Sequence, residues 1–427
     1  MADVIKLKHT LDFQKDRESE TRNGSLSGMQ KLEWVRHYMP ALGLIRERFA
    51  TERPFEGFRI TISIHLEAKT ANLATVLRDA GAQVYVTGCN PLSTQDDIAD
   101  HLRELGFKVF AKRGVDMEEY RSHLIQALSH HPHLIIDDGG DLIELLHGEY
   151  GGLGDELIGG CEETTTGVHR LRARAKAGKL KYPMISVNDA ECKYLFDNRY
   201  GTGQSVWDAI MNTTNNIVAS KQVVVAGFGW CGRGIALRAK GMGARVTVTE
   251  VNPVRALEAA MEGYQVMPMD EAAELGDIFI CATGCNKVIT EKHFRKMKDG
   301  VLLANAGHFD VEVDKHDLEE LSVEKIRMRE NITGYRMKDG RILNLLSEGR
   351  LVNLAAGNGH PAEIMDMSFS IQALCLEYLA KHGKELSAGV YNVPEAIDRN
   401  VAEIKLASMG LKIDKLTPEQ MQYIGSF

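Results

Sequence analysis

KQVVVAGFGWCGRGIALRAKGMGARVTVTE, residues 221–250, is the stretch on which the fold reading turns. Val223, Val224, Val225 and Ala226 form a short apolar run suited to a strand covered on both faces. Gly227, Gly229 and Gly232 follow in G-x-G-x-x-G spacing. The first glycine permits a tight turn, the second lets backbone approach a pyrophosphate, and the third lets a helix pack closely on the strand. That helix would point its N-terminal N–H groups at the phosphates. A second strand over 245–249 ends in Glu250, an acid placed to accept hydrogen bonds from a ribose 2′-hydroxyl, which favours NAD over NADP. Strand, glycines, helix, strand and acid in this order point to a dinucleotide site rather than an isolated glycine turn.

Upstream, residues 58–64 alternate as a strand that stops at His65. HLEAKTANLATVLRDAG then reads as a helix, AQVYVTGC as a strand, TQDDIADHLRELG as a helix and FKVFAKRG as a strand; EEYRSHLIQALSHHP and LIIDD continue the alternation. This order predicts a first open parallel sheet. Downstream, DIFICAT and VLLANAG supply later strands of the second. An amphipathic segment from Pro361 to about His382, with Met367, Ile371, Leu374, Cys375 and Tyr378 on one face, predicts a helix returning to the first domain. The expected fold class is α/β: two doubly wound parallel-sheet domains joined by a hinge, with a small tail. The first domain comprises 1–200 and 356–402, the Rossmann-type domain 201–355, and the tail, suited to oligomer contact, 403–427. Residues 1–30 read as a polar lead-in, with helical periodicity starting near Leu32.

The net charge of -8, with no basic stripe, argues against nucleic acid or an anionic membrane as the main partner. No apolar run approaches the ~20 residues of a bilayer span, and the N-terminus has no apolar leader core, so a cytoplasmic address is expected. The 7 cysteines form an odd, scattered set without C-x-x-C pairs, which fits reduced thiols and no zinc site. His130, His131 and His133 read as a solvated turn, Cys281 and Cys285 as strand and turn, and no metal is expected.

Polar residues collect where predicted strands stop: His65, Asp138, the run 162–166 (EETTT) and His308. Ligands bind at the carboxyl ends of strands in open parallel sheets, so the clustering has a structural reason. Each has an alternative reading: a hydrogen-bonded structural histidine, a turn at 137–140, or a helix N-cap for the threonines. Lys193 and Asp197, four apart, would share one face of a helix, as a solvated ion pair or a functional one.

HLEAKT, NPLSTQDD, IIDDGGDL, EETTTGVHRL, FDNRYGTGQS, VVVAGFGWCGRG, ANAGHFDVEV, EGRLVNLAAGNGHP and KLTPEQMQYIG together resemble the S-adenosylhomocysteine hydrolase family, collinearly from about residue 30 to 423. The resemblance implies a tightly held NAD used as a reusable oxidant. The substrate 3′-hydroxyl is oxidised, homocysteine leaves, water adds and the ketone is reduced back. A 3′-ketone acidifies the C4′ proton and so permits loss of the C5′ thiolate. The resemblance assigns Lys193, supported by Asp197 and Asn198, to the 3′-hydroxyl. A lysine needs a lowered pKa to be a base near neutrality, so burial or a neighbouring positive charge is expected to lower it. It gives Asp138 and His65 the C4′ proton and the C5′ side, and His308 the leaving group and attacking water. Glu163 and Thr164 become ribose and homocysteine-side contacts, Thr70 a substrate contact, and His360 a gate or hinge residue. For NAD it implies the three glycines, Glu250, Asn305 near the nicotinamide and Asn353 near the carboxamide. A homotetramer is implied.

The chain departs from the family pattern at three places. Glu67 stands where common members carry Thr, and Lys69 where they carry Glu or Gln, at positions facing the purine. Adenine offers an acceptor at N1 and donors at its 6-amino group; hypoxanthine offers the reverse, so a carboxylate facing N1–H and an ammonium facing O6 match hypoxanthine. This resembles the S-inosylhomocysteine hydrolase branch. The alternative is an exposed Glu67 and Lys69, with adenine held by Gln95 or backbone. Second, the sequence stops at Phe427, where many relatives continue into an arm that reaches a neighbouring NAD site, so looser NAD binding is expected. Third, Thr202 replaces a cysteine common beside the nicotinamide. Two further readings remain: a dehydrogenase with net redox change, and a non-catalytic nucleotide sensor of the same fold.

Overall fold

The computed structural model describes residues 27–426, so most of the lead-in lies outside the described residues. The first sheet is built from β1 (Arg59–Ser63), β2 (Gln83–Thr87), β3 (Lys108–Phe110), β4 (Leu134–Asp137), β5 (Gly159–Glu162) and β6 (Pro183–Ser186). The second takes β7 (Gln222–Ala226), β8 (Arg245–Thr249), β9 (Gln265–Val266), β10 (Ile278–Cys281), β11 (Leu302–Asn305), β12 (Ser322–Arg329), β13 (Ile332–Met337) and β14 (Ile342–Leu346). The chain then returns, and β15 (Gly389–Asn392) joins the first sheet parallel to β6.

The first sheet has the order β15-β6-β5-β4-β1-β2-β3 and is parallel throughout. Its order reverses between β1 and β4, the switch point at which open sheets leave a crevice. The second has the order β12-β13-β14-β11-β10-β7-β8-β9, with β7 and β10 side by side at its centre. It is parallel except at one edge, where β13 runs antiparallel to both β12 and β14. The connections explain this. Residues 330–331, with Asn331 at φ 59, and 338–341, with Gly340 at φ 92, are hairpin turns, and a parallel crossover needs a dozen residues or more.

The helix Ala362–His382 crosses back after the second sheet and is buried on almost every side. The helix Pro40–Glu52 has no capping side chain at Met39. Asp366 supplies the cap from across the fold, accepting from the Ala41 and Leu42 N–H groups at 3.1 and 2.8 Å while pairing with Lys405 at 2.8 Å. Leu374, Leu376 and Leu379 of the same helix join the first-sheet core with Leu134 and Ile136 of β4. The helix Glu395–Ser408 runs through the expected 402/403 boundary, with Val401 fully buried. Its Asp398 accepts from the Glu191 and Cys192 N–H groups at 2.6 and 3.0 Å, anchoring the turn that carries Lys193. His130 is not merely solvated: its ring stacks on Tyr85 at 3.8 Å. Among the described residues no helix is long and apolar enough to cross a membrane.

Candidate active site

The carboxyl ends of both sheets open onto one cleft of about 1380 Å³. On the first sheet, β1 delivers His65, β4 Asp138 and β5 Glu163, all buried. The His65 Nδ1 lies 2.7 Å from Ser93 Oγ, and its Nε2 lies 3.5 Å from Asp138 Oδ2. His308, from the loop after β11, brings Nδ1 to 3.9 Å from Asp138 Oδ1, an oxygen with no hydrogen-bond partner. Its ring packs so closely on Gly139 that a Cβ there would stand 2.2 Å from His308 Nε2. Only glycine, at φ +108, serves that position.

Lys193 and Asp197 do share a face, but not of an α-helix. The short α turn Glu191–Lys193 widens into a π-helical stretch, Tyr194–Gly201, a form that recurs at functional sites. The Lys193 Nζ donates to Asn198 Oδ1 at 2.8 Å and lies 3.6 Å from Asp197 Oδ2 and 3.4 Å from Glu163 Oε1. Asn198 is held in turn by Asn188 Oδ1 at 3.1 Å. Asp197 accepts from Ser368 Oγ at 2.7 Å and meets His360 Nδ1 at 2.6 Å, while His360 Nε2 lies 3.2 Å from Thr202 Oγ1. Glu163 Oε2 accepts from Gln372 Nε2 at 2.6 Å.

Burial dominates the electrostatics. It pushes the His65 imidazole down to about 3, with His360 adding to the effect, and lowers His308 despite the pull of Asp138, so both rings are neutral near pH 7. Burial also raises Asp138 against the opposing pull of His308, and raises Glu163 to about 8 against that of Lys193. Lys193 reverses the expectation of a lowered pKa. Burial does push it down, but Asp197 and Glu163 outweigh that and carry the amine above its usual range. Asp197 is raised by burial and more than compensated by Lys193 and His360, so it stays a carboxylate.

At the purine end, Glu67 and Lys69 are 5% and 6% exposed, which overturns the alternative of a solvated pair. Glu67 caps the helix Ala68–Asp79 by accepting from the Lys69 and Thr70 N–H groups at 3.0 and 3.3 Å. Lys69 Nζ lies 2.6 Å from Glu67 Oε2. Thr70 Oγ1 donates to the His65 carbonyl at 2.7 Å, tying the purine end to the catalytic end. Gln95 does not join them: its Oε1 accepts from Lys31 at 3.2 Å and it does not line the cleft. Thr164 lines the cleft, yet its hydroxyl caps the helix Thr165–Lys176 through Gly167 N at 2.9 Å and donates to Glu162 Oε1 at 3.0 Å.

The residues fit a dinucleotide. Gly227 sits at φ +92, and a Cβ there would lie 2.8 Å from Ala282 O; one at Gly232 would lie 1.9 Å from Gly227 O. At Gly229 the nearest atom is 3.8 Å away, which leaves room for a phosphate. The helix Trp230–Gly241 has no side-chain cap, so its first N–H groups are free to receive one. Glu250 accepts from Phe228, Val251 and Asn252 N–H groups at 2.7, 2.7 and 2.9 Å. Burial pushes its pKa up, but these donors outweigh that and keep it ionised. Asn353 donates to Ser205 Oγ at 3.1 Å and leaves a buried Oδ1 without a partner, suited to an amide donor. Asn305 differs from expectation. Its Nδ2 donates to the Gly307, Phe309 and Gly349 carbonyls, its Oδ1 accepts from Gly307 N, and it does not line the cleft. It shapes the loop that presents His308.

Sequence reasoning missed the supporting groups. Cys89 Sγ donates to Asp138 Oδ2 at 3.2 Å, and Ser93, Ser368, Gln372 and Asn188 each hold a site residue. Helical spacing offers one signal for two of them: Ser368 and Gln372 are four apart on Ala362–His382 and share a face. The Thr202 hydroxyl donates to Cys231 Sγ at 3.6 Å.

Two family profiles match the chain: "S-adenosyl-L-homocysteine hydrolase" over residues 23–152 and "S-adenosyl-L-homocysteine hydrolase, NAD binding domain" over 198–359. An S-inosyl-L-homocysteine hydrolase of Methanopyrus kandleri is 56% identical over 416 residues, covering 97% of this chain and 98% of that protein. An adenosylhomocysteinase of Archaeoglobus fulgidus is 56% identical over 402 residues, covering 94% and 99%. An S-inosyl-L-homocysteine hydrolase of Methanosarcina mazei is 54% identical over 403 residues, covering 94% and 97%.

Proposed function

The chain belongs to the S-adenosyl-L-homocysteine hydrolase family, and on that premise we propose that it catalyses the NAD-dependent, reversible hydrolysis of S-inosyl-L-homocysteine to inosine and L-homocysteine. The buried Glu67–Lys69 pair carries the choice of purine. An ionised carboxylate only accepts and an ammonium only donates, so Glu67 opposite N1 and Lys69 opposite C6 suit N1–H and O6 of hypoxanthine. The second reading is the same reaction on S-adenosyl-L-homocysteine, favoured by the equally similar relatives of that name. It needs the pair in the opposite order, with Lys69 donating to N1 and Glu67 accepting from the 6-amino group.

Bound NAD supplies a two-electron oxidant that is restored within the turnover. Lys193, held as an ammonium, accepts the 3′-hydroxyl proton once its own has passed to the ionised form of Glu163 at 3.4 Å. Raised to about 8, Glu163 is mostly neutral at pH 7, so the exchange runs through its ionised fraction, which grows as the pH approaches 8. Asp138 and neutral His65 then handle the C4′ proton. His308, against Gly139, serves the C5′ side, where homocysteine leaves and water adds. His360 gates the cleft through its contacts with Asp197 and Thr202.

Incubation of the NAD-loaded protein with S-inosyl-L-homocysteine is expected to release free thiol without net growth of the reduced-nicotinamide absorbance. Net reduced cofactor without thiol would instead establish a dehydrogenase. The proposal includes a cytoplasmic homotetramer, supported by exposed Leu411, Ile413, Leu416 and Met421 in the tail. Light scattering on a size-exclusion column reads the mass.

A further inference from the structure

We infer that Lys69 is a positioning residue as well as a purine contact: its ammonium ties residues 357–361 to Glu67 and so steadies His360 on Asp197 whether or not the base is bound. The inference deepens the reading of the purine site proposed above.

An ammonium has three N–H donors. Lys69 directs one at Glu67 Oε2, 2.6 Å away, and another at the backbone carbonyl of Asn358, 3.0 Å away. Its Nζ lies at the cleft, so the third can reach an oxygen on the purine. Glu67 caps one helix of the first domain, whereas Asn358 belongs to the crossing that leads out of the second sheet. Lys69 therefore bridges the two sides of the cleft with a charge-assisted bond to each.

The segment it holds is narrowly defined. Gly359 sits at φ +71, where a Cβ would stand 2.8 Å from Leu354 Cδ2. Its N–H donates to the Asn353 carbonyl at 2.9 Å. Asn353 lines the cleft and carries a buried side-chain oxygen without a partner. The next residue, His360, pairs with Asp197 at 2.6 Å, and Asp197 lies 3.6 Å from the Lys193 ammonium. Polar contacts therefore run from Glu67 through Lys69 to Asn358, and from His360 through Asp197 to Lys193, and the short backbone segment 358–360 joins the two sets. A Lys69 that acted on recognition alone would have no need of the Asn358 carbonyl.

Lys69→Met keeps the unbranched stem, ends one atom short of the ammonium and removes every donor. The test compares wild type and Lys69→Met as NAD-loaded holoenzymes with two readouts. Hydrogen exchange at the Gly359 amide, followed without substrate, is expected to quicken roughly tenfold on loss of the charged bond, while amides of β4 and β7 stay unchanged. The second readout is kcat on the homocysteine thioether of purine riboside, which has no substituent at C6. The variant is expected to lose roughly tenfold in kcat on this substrate too, because the tether is lost whatever the base. Unchanged exchange at Gly359, or kcat within twofold of wild type on the 6-unsubstituted substrate, overturns the inference and leaves Lys69 a purine contact only. A variant that exchanges faster throughout is replaced by Lys69→Gln, judged on the same amide and the same substrate. Neither readout uses a 6-oxo or 6-amino group, so failure of the hypoxanthine assignment, read from inosyl against adenosyl rates, is a separate result.

Discussion

Lys193→Met is expected to lower kcat by roughly 10³-fold, the scale of losing a positioned proton-transfer group, with NAD content retained. The dinucleotide residues Gly227, Gly229, Gly232 and Glu250 belong to the loop after β7, the helix Trp230–Gly241 and the end of β8, whereas Lys193 is held by Asn198 and its turn by Asp398 through Glu191 and Cys192. Removing the ammonium therefore leaves the cofactor residues in place. The loss falls on chemistry, and KM for the thioether moves little by comparison. Stopped-flow measurement of the first reduction of bound cofactor reads the effect directly; a variant that reduces cofactor at the wild-type rate would refute the assignment.

The same variant has a pH signature. In the wild type Asp197 has a lowered pKa, so it contributes stability above the ordinary carboxylate range that is lost only as pH falls. Glu163 has the opposite sign. Raised from 4.5 to about 8, it contributes stability that is complete below 4.5 and lost as pH rises through about 8. Without Lys193, Asp197 loses its main compensating charge and joins Glu163 in that second class. An unpaired buried carboxylate costs about 3–5 kcal/mol unless it takes up a proton. The Tm of Lys193→Met is therefore expected to fall more steeply than that of the wild type between pH 5 and pH 9. Parallel Tm curves over that interval would contradict the charge arrangement.

Glu67→Thr combined with Lys69→Glu is expected to shift the ratio of kcat/KM for the inosyl and adenosyl thioethers by at least ~10²-fold toward the adenosyl substrate. The swap places a hydroxyl donor opposite N1 and an acceptor opposite the 6-amino group, the order adenine needs. Threonine is also a good N-cap, so the helix Ala68–Asp79 keeps the function that Glu67 now serves through the Lys69 and Thr70 N–H groups. Taking the ratio of two substrates on one variant cancels any shared loss of active enzyme. A ratio unchanged by the swap would remove purine choice from this pair. The sign of the wild-type ratio decides between the two orders of the pair described above.

Local pattern carried much of this. The run at 221–250 specifies its own strand, turn, helix and acid because each requirement is met by neighbours in the chain: glycine where φ is +92, an apolar strand before it, an acid at the end of the next. The strand ends at His65, Asp138 and Glu163 were legible for the same reason. The antiparallel edge was also written locally, in the two short hairpin connections, and adds a detail to the parallel-sheet reading. Asn305 illustrates the opposite limit. It lies at a strand end, as a ligand contact would, yet its amide nitrogen shares its two N–H groups among three carbonyls, one of them on Gly349, 44 residues away. No spacing rule announces that partner.

What the sequence by itself determined is the α/β class, the dinucleotide turn and the set of polar residues at strand ends, since period and turn chemistry are local properties. What only the tertiary structure decided is the ionisation of those residues and which of them meet. Lys193 is charged because β5 and a π-helical turn bring the buried Glu163 and Asp197 to 3.4 and 3.6 Å of it. Burial and Coulomb attraction depend on distance in space, and these partners stand 30 and 4 residues apart along the chain.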